Sequence, residues 1–513
     1  MTDVLLGQSY FLRFDPKLWQ TLQPYAPLGS LLAAACLRQT GRTVAVFDAM
    51  LAESENEWER ALDRESPHYA VLFEDNFNYL SKMCLTRMRE AAFRMIEAAR
   101  QRNATVIVCG SDASDHAAAY LERGADFVIR GEGEATLLEL LDTLDNPEIR
   151  PLDTVEGLTF RDPGEELPHE TPSRPVMRDL DALPFPAWDL IDIERYRDIW
   201  NKRHGFFSMN MATTRGCPYH CNWCAKPIWG QTYNMRSPAN VATELEWLKR
   251  TYRPDHIWFA DDIMGLKRGW LAELAEEIER REAKVPFKCL SRVDLLLRPG
   301  EIDALVRAGC EIVWVGAESG SQAVLDAMDK GTRIEQIHLA ARGLRLAGLR
   351  VGFFLQFGYP GEDRDDIERT LQLVRDCRPD EIGISVSYPL PGTRFHDMVA
   401  TQLGEKRNWV DSADLDLPYE GTFQPDFYRQ LGRVVQKEFL LHKAGSDVRE
   451  LRLNALRPRH FRRLAAWAFH VGTLPWERHR LERLTSAPAG GGASLGSGMS
   501  HEQAAEPTPQ PEA

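Results

Sequence analysis

The stretch "FSMNMATTRGCPYHCNWC" (207–224) joins a strand-like run to three closely spaced cysteines, Cys217, Cys221 and Cys224. Four thiolates normally hold a [4Fe–4S] cluster, so three would leave one iron open to another ligand. A structural zinc site would need a fourth ligand, and His220, immediately before Cys221, is poorly placed to chelate the same ion. We therefore predict an open [4Fe–4S] cluster, with a zinc site and metal-free thiols as the alternatives.

The composition narrows the class of protein around this motif. The 513 residues suit two domains plus extensions, and a net charge of −14 argues against a nucleic-acid-binding surface. We see no signal peptide, and the longest apolar run, "LGSLLAAACL" (28–37), is about half the length of a spanning helix. We expect a cytoplasmic protein with no nucleic-acid partner and no stable membrane insertion. Its nine cysteines are accordingly not expected to form a disulfide framework.

Downstream of the cysteines, apolar strand patterns alternate with helical stretches as far as residue 394. Six such βα units fall short of the eight in a full barrel. We therefore predict an α/β fold here, a partial (β/α)6 TIM-type barrel at 207–394. Its predicted strands are 207–213, 256–261, 287–292, 311–318, 350–358 and 381–388.

Residues 1–145 carry a similar alternation, with five continuous apolar runs separated by helix-length stretches. Such runs indicate a parallel sheet covered on both faces, which binds ligands at the carboxyl ends of its strands. We predict a Rossmann-like, doubly wound parallel sheet. Its predicted strands are 3–7, 43–48, 69–74, 105–110 and 126–131.

The remaining segments are assigned by composition. Residues 146–206, rich in Pro and acidic residues, are interpreted as a linker with a little local structure. Residues 395–482 are predicted to be a mainly helical extension, and 483–513 a disordered tail. The basic, aromatic segment "RPRHFRRLAAWAFHVG" (457–472) fits a membrane-surface helix or a helix packed on the barrel. We favour the packed helix because the surrounding chain shows no second membrane signal.

The cysteine motif after the first barrel strand resembles that of the radical S-adenosylmethionine (radical SAM) superfamily. Thr214, Arg215 and Gly216 match the usual lead-in to the cysteine loop. The resemblance implies that the open iron binds the amino and carboxylate groups of SAM. An electron from the cluster then cleaves SAM to methionine and a 5′-deoxyadenosyl radical. Trp223, before the third cysteine, would lie near the adenine.

The resemblance extends to residues that follow later strands, where a barrel keeps its chemistry. In "FADDIM" (259–264), Asp261 and Asp262 replace a Gly-Gly-Glu motif that receives the SAM amino group; the alternative is that they cap the next helix. Arg292 would pair with the SAM carboxylate, and Glu318 with Ser319 resembles the ribose-contacting pair.

The N-terminal domain resembles the cobalamin-binding domain of the B12-dependent radical SAM class. "PLGSLLAA" (27–34) and "GEGE" (131–134) carry this resemblance, whereas "GSDAS" (110–114) replaces the usual Gly-Gly-Pro-His. No Asp-x-His-x-x-Gly supplies a histidine to cobalt, so the loop "EDNFNYL" (74–80) would cover the lower face. The alternative is a scaffold that has lost cobalamin. The residues that the resemblance assigns to cobalamin are Pro27, Leu28, Gly29, Asn76, Phe77, Gly110, Ser111, Gly131, Glu132 and Gly133.

Together these resemblances imply a cobalamin-dependent radical SAM enzyme. The implied reaction is C-methylation of an unactivated carbon in a small-molecule biosynthetic intermediate, through the 5′-deoxyadenosyl radical and methylcobalamin. An electron donor such as flavodoxin or ferredoxin would be its partner. The alternatives are a cyclase or rearrangement enzyme without methyl transfer and, from a different class, a tRNA-modifying methylthiotransferase with a second cluster.

Overall fold

The computed structural model describes residues 2–79, 83, 85–148, 150–162, 164–224, 228–404, 408–450 and 458–485. Residues 444–450 and 458–466 are described by their backbone. Two parallel sheets organise this part of the chain, one on each side of residue 206. The predicted tail beyond residue 485 lies outside the described residues.

The first sheet contains all five predicted N-terminal strands. They lie side by side in the order β2-β1-β3-β4-β5, and every pairing among them is parallel. Alternate residues enter two different cores: Leu5 packs on one face of the sheet, and Val4 and Leu6 on the other. A sheet buried on both faces explains why these strands are continuously apolar in sequence. The strands are β1 (Val4–Gly7), β2 (Val44–Phe47), β3 (Tyr69–Phe73), β4 (Thr105–Cys109) and β5 (Phe127–Ile129).

The strand order reverses between β1 and β3, which makes the carboxyl ends of these strands a topological switch point. Glu74, directly after β3, accepts hydrogen bonds from the backbone N–H of Ser9 at 3.0 and 3.1 Å. Burial raises the pKa of Glu74 to about 7, although Ser9 acts in the opposite direction. Ligands of doubly wound sheets bind in the crevice at such a point.

The segment interpreted as a linker contributes more structure than we predicted. Two short strands, β6 (Leu158–Phe160) and β7 (His169–Glu170), extend the first sheet beyond β5 and pair antiparallel. Residues 158–160 and 169–170 therefore belong to this sheet, within the segment interpreted as a linker. The sequence did not predict β6 and β7, because strands of two and three residues between prolines and acidic residues show no periodicity.

The second sheet confirms the predicted partial barrel. Six parallel strands lie in chain order from one edge to the other. They are β8 (Ser208–Met211), β11 (His256–Phe259), β12 (Phe287–Ser291), β13 (Cys310–Glu318), β14 (Arg350–Phe357) and β15 (Glu381–Val386). A two-residue ribbon, β9 (Thr214–Arg215) with β10 (Asn234–Met235), brackets the cysteine loop.

Helices alternate with the strands in both halves. In the first half they are α1 (Pro16–Thr21), α2 (Leu28–Gln39), α3 (Asn56–Glu65), α4 (Thr86–Arg100), α5 (Ser111–Asp115), α6 (Ala117–Glu122), α7 (Glu134–Asp145) and α8 (Ile193–His204). In the barrel they are α9 (Pro238–Thr251), α10 (Trp270–Arg280), α11 (Val293–Leu296), α12 (Glu301–Ala308), α13 (Gln322–Ala327), α14 (Ile334–Leu346), α15 (Arg364–Cys377) and α16 (Arg394–Val399).

The C-terminal extension is built on two long helices, α17 (Pro425–Glu450) and α18 (Pro458–Thr485). They pack antiparallel, with Gln430 bonded to Glu477 and Lys437 bonded to Thr473. Within the described residues, no helix combines the length and the apolar character needed to cross a membrane.

Candidate active site

The cysteine loop leaves the carboxyl end of β8, and a buried aspartate fixes its start. Both oxygens of Asp261, just after β11, accept hydrogen bonds from Thr213, from its N–H at 2.6 Å and from its hydroxyl at 2.6 Å. The N–H of Thr214 donates to the same carboxylate at 2.8 Å. Burial raises the pKa of Asp261 to about 6 against these hydrogen bonds. Asp261 thus holds the lead-in of the loop, and its predicted contact with SAM stays a prediction.

A second anchor, missed in the sequence analysis, is Asn222 between the second and third cysteines. Its backbone N–H donates to the Met328 carbonyl at 3.0 Å, and its carbonyl accepts from the Phe395 N–H at 2.9 Å. Its side-chain amide donates to the hydroxyl of Tyr359 at 2.9 Å. The loop has no regular secondary structure, so these contacts hold its shape.

The three cysteines differ from the other described cysteines in exposure. Cys217, Cys221 and Cys224 are half-buried and form no disulfide, whereas Cys36, Cys109, Cys289, Cys310 and Cys377 are buried. Cys221 and Cys224 line a cavity of about 620 Å³ at the end of the barrel. No three of the described His, Cys, Asp or Glu side chains converge as around a single metal ion. A [4Fe–4S] cluster instead takes each thiolate on a different iron.

Two cations, Arg292 and Lys330, lie beside Cys221. The Arg292 Nη1 is 4.0 Å from the Cys221 sulfur, and its guanidinium lies 3.6 Å from the centre of the Tyr219 ring. The same guanidinium donates to the Lys330 carbonyl at 3.0 Å and to Asp294 at 2.9 Å. Accessible cysteines, neighbouring cations and an adjoining cavity together fit an iron–sulfur cluster.

Glu318 and Lys330 form a buried ion pair at the same end of the barrel. The Lys330 Nζ lies 2.7 Å from the Glu318 Oε1, and both side chains are less than one tenth exposed. Burial alone would lower the pKa of Lys330, but the charges of Glu318 and Cys221 raise it overall. Glu318 adopts a φ of 57°, a left-handed conformation that is costly for a residue with a side chain. A Cβ at Gly316 would lie 2.3 Å from Glu318 and 2.5 Å from Lys330, so the pair requires glycine there.

The other residues predicted to contact SAM have different surroundings. The Trp223 ring lies 5.8 Å from the Lys330 ammonium, and its buried Nε1 has no hydrogen-bond partner among the described residues. Ser319 is fully buried and exchanges a hydrogen bond with the Thr370 hydroxyl at 3.1 Å. Asp262 is exposed. The structure therefore brings Trp223, Glu318 and Arg292 to the cysteine loop, while Ser319 supports the turn behind it.

The N-terminal domain reaches the cysteine loop through Arg215. Its guanidinium pairs with Glu134 at 2.6 Å and with Glu132 at 3.1 Å, and all three side chains are buried. Burial lowers the pKa of Arg215, but the two carboxylates raise it overall. The same guanidinium lies 5.6 Å from the ring of Phe77, which packs against Trp229. Two residues predicted for cobalamin, Glu132 and Phe77, thus adjoin the residue that precedes the cysteine loop.

Several glycines predicted for cobalamin have an explanation in packing. A Cβ at Gly133 would lie 2.3 Å from the Cys109 sulfur, and one at Gly110 would lie 2.8 Å from the Glu74 side chain. Gly29, one residue into α2, donates its N–H to Asp75 at 3.0 Å. Close packing therefore requires glycine at 110 and 133 whether or not a ligand binds.

The crevice at the switch point nevertheless contains unsatisfied polar groups. The Asn76 Oδ1 and the Tyr10 hydroxyl are buried without a hydrogen-bond partner among the described residues. Buried polar groups are normally paired, so these two oxygens fit a crevice that receives a polar ligand. Pro27, Leu28, Ser111 and Gly131 lie at the same edge of the sheet, after β1, β4 and β5.

Tyr79, which the sequence analysis did not single out, lies in the loop after β3. Burial, with the charges of Cys224 and Glu318, raises its pKa. Its side chain is nevertheless 50% exposed. Tyr79 therefore lies near the cysteine loop. Asp115 of α5, also in the N-terminal domain, lines the cavity with Cys221 and Cys224.

Comparison with known proteins shows which family this arrangement resembles. Residues 211–374 match the Radical SAM superfamily. An uncharacterized methyltransferase of Pyrococcus horikoshii is 29% identical over 57% of this chain and 62% of its own length. The anaerobic magnesium-protoporphyrin IX monomethyl ester cyclase of Rubrivivax gelatinosus is 30% identical over 55% of this chain and 49% of its own length. The chain thus spans 62% of the length of the first relative and 49% of the length of the second, less than two thirds in each case.

Other similarities extend over more of the chain. The hopanoid C-3 methylase of Methylococcus capsulatus is 27% identical over 83% of this chain and 78% of its own length. Among solved structures, the radical SAM methyltransferase TsrM from Kitasatospora setae superposes with a TM-score of 0.63 at 20% identity, over 78% of this chain and 75% of its own. The cobalamin-dependent radical SAM enzyme OxsB gives 0.68 at 17% identity, over 94% of this chain and 72% of its own.

The superpositions on TsrM and OxsB, both under 25% identical, show a shared fold. The superposition on OxsB extends over 94% of this chain and so includes the N-terminal sheet. Residues 211–374 of this chain thus match the Radical SAM superfamily, and the chain shares its overall fold with TsrM and OxsB.

Proposed function

We propose that this protein is a cobalamin-dependent radical SAM enzyme that methylates an unactivated carbon of a small-molecule biosynthetic intermediate. The observation that carries the proposal is the meeting of the two sheets at the cysteine loop. Arg215 joins this loop to Glu132 and Glu134, and Asp115 lines one cavity with Cys221 and Cys224. A ligand at the switch point and a cluster on the loop would therefore face a common space.

The chain's own residues would hold the cofactors as follows. Cys217, Cys221 and Cys224 would bind the [4Fe–4S] cluster, and Arg292 and Glu318 would bind the charged and ribose groups of SAM. When bound, cluster, SAM and cobalamin supply radical initiation and a transferable methyl group. Arg292 and Lys330 would hold positive charge beside the thiolates.

Cobalamin has support of two kinds. The structural support is the pair of unpartnered buried oxygens, Asn76 Oδ1 and the Tyr10 hydroxyl, at the switch point. The comparative support is that TsrM was solved with cobalamin and a [4Fe–4S] cluster, and OxsB with aqua-cobalamin and SAM. We extend those ligands to this chain as part of the proposal, together with an electron donor such as flavodoxin or ferredoxin and a cytoplasmic location.

Methyl transfer is preferred because several relatives carry that activity in their names. They include the hopanoid C-3 methylase and the bacteriochlorophyllide d C-8(2)-methyltransferase of Chlorobaculum tepidum. Because this chain is also similar to the cyclase of Rubrivivax gelatinosus, a radical reaction without methyl transfer is the second candidate. The tRNA-modifying alternative requires a second iron–sulfur cluster. The five described cysteines outside the loop are buried and therefore do not favour one.

The test needs no knowledge of the substrate. Anaerobic reconstitution with iron, sulfide and hydroxocobalamin is expected to give about four irons per chain and a bound corrin band. Reduced enzyme is then mixed with SAM that carries a trideuterated methyl group, and bound corrin is analysed by mass spectrometry. Label on the corrin supports the methyltransferase, and unlabelled corrin with SAM cleavage supports the cyclase. A cluster without corrin would overturn the proposal.

A further inference from the structure

One face of helix α18 packs against α17, and another face is exposed to solvent. Its packed face contacts α17 through Glu477, which accepts from Lys437 at 2.6 Å and from Gln430 at 2.7 Å, and through the buried Leu481. Helix α18 thus packs on α17, and its packing on the barrel stays a prediction. Two large side chains are nevertheless exposed: Phe469, whose ring lies 5.6 Å from the Lys437 ammonium of α17, is 61% exposed, and Trp476 is 60% exposed.

The exposed aromatic residues share one side of the helix. Phe469 and Trp476 are seven residues apart, about two turns, so their side chains lie one above the other. The Arg480 guanidinium lies 5.8 Å from the Trp476 ring, and Arg483 follows Trp476 by another seven residues. The side therefore presents aromatic rings next to exposed guanidinium groups.

The charge of this helix opposes that of the protein. Residues 458–485 contain six arginines and two glutamates, whereas the whole chain has a net charge of −14. Exposed aromatic residues next to arginines on one helix are typical of helices that lie in the headgroup region of a membrane. Arginine side chains there keep their charge in contact with anionic headgroups while their stems contact apolar surface.

Among the residues whose side chains the structure describes, Phe469 and Trp476 remain largely exposed. The C-terminal segment 486–513 contains only two large apolar residues, Leu495 and Met499, among small and polar ones. An anionic membrane surface matches both the positive charge and the aromatic character of this side, whereas a second copy of the acidic chain would match its charge only. We propose that the Phe469–Trp476–Arg480–Arg483 side of α18 docks on an anionic phospholipid bilayer as a peripheral contact.

This inference goes beyond the proposed function and does not depend on it. Reconstituted full-length protein is sedimented with vesicles of phosphatidylcholine alone or of an equimolar mixture with phosphatidylglycerol. We expect binding to the mixed vesicles that decreases with added salt. Phe469→Ser with Trp476→Ser is expected to lower the partition coefficient at least tenfold, because two aromatic side chains no longer enter the interface. Arg480→Gln with Arg483→Gln is expected to reduce binding to mixed vesicles only.

The matched control is Trp19→Ser, which removes a 40% exposed tryptophan that also lies beside an arginine, Arg13, on the N-terminal domain. This variant is expected to bind as the unaltered protein does. Equal binding to both vesicle types, absence of binding, or binding unchanged in the double serine variant would each overturn the proposal. Light scattering identifies a second copy as the occupant if the unaltered chain is dimeric and the double serine variant is monomeric, and that outcome also overturns it.

Discussion

The two ends of the partial barrel both bury polar groups, but they do so differently. At the amino ends of the strands, the Ser208 hydroxyl lies 2.9 Å from the His256 ring and 3.1 Å from the Tyr25 hydroxyl. Lys288 there lies over aromatic rings, 4.9 Å from both Tyr25 and Trp258. Burial, followed by the charges of Lys288 and Arg350, lowers the pKa of His256 to about 3, so the histidine is neutral at neutral pH.

The carboxyl ends keep their charges instead. Arg292, Glu318 and Lys330 are buried as ions around Cys221 and beside a cavity. Buried ions are expensive unless paired, and a fold that retains several at one edge uses them for more than packing. The comparison teaches that the amino ends hold a neutral hydrogen-bonded histidine next to a cation without a buried carboxylate partner in the described contacts, whereas the carboxyl ends hold a preorganised charged site.

The largest expected effect is the loss of the cluster at the carboxyl end. We expect Cys217→Ala to abolish SAM cleavage and to lower the iron content of the reconstituted protein, because one iron loses its thiolate. The matched control is Cys289→Ala, which removes a buried thiol within β12. Iron analysis and assay of 5′-deoxyadenosine check both variants. Normal SAM cleavage in Cys217→Ala would refute the cluster assignment.

The second effect compares one lysine at each end. Lys330→Met leaves Glu318 buried without its partner, and we expect the free energy of unfolding to fall by about 3–5 kcal/mol. Lys288→Met removes contacts with aromatic rings and a charge next to the neutral His256, so its expected cost is about 1 kcal/mol. Urea denaturation measures both. Adding Glu318→Gln to Lys330→Met should recover part of the loss, and equal losses in the two lysine variants would contradict the comparison.

These contrasts show which features the sequence could predict. The parallel strands were predictable because continuous apolar runs identify strands buried on both faces, and the cysteines because their spacing is local. The Glu318–Lys330 pair joins residues without a local pattern, and Arg215 meets Glu132 and Glu134 more than eighty positions away. Contacts of this kind depend on how two sheets pack, which no periodicity encodes. The sequence also did not decide between a membrane-surface helix and a packed helix for α18, because its composition suits both.

The third effect is a pH dependence from the amino end. His256 has a folded pKa of about 3, below its unfolded value, so the unfolded chain binds more protons between these values. Stability is therefore retained above pH ~6.5 and falls by about 1.4 kcal/mol per unit as pH decreases toward 3. We expect His256→Gln to remove this dependence, gaining about 2 kcal/mol relative to the unaltered protein between pH 7 and pH 5. Parallel stability curves for the two proteins would contradict a neutral buried histidine.

The smallest effect tests how the loop is held at the carboxyl end. The Tyr359 hydroxyl donates to the Ala327 carbonyl at 2.8 Å and contacts the Asn222 side chain, which anchors the cysteine loop. Tyr359→Phe removes one hydroxyl, and we expect it to cost about 1 kcal/mol and to speed the loss of iron to a chelator. Tyr388→Phe is the matched control, because its buried hydroxyl has no hydrogen-bond partner among the described residues. If the two variants lose iron at the same rate, Tyr359 only fills the core. A faster loss from Tyr359→Phe alone would mean that this hydrogen bond fixes the shape of the cysteine loop.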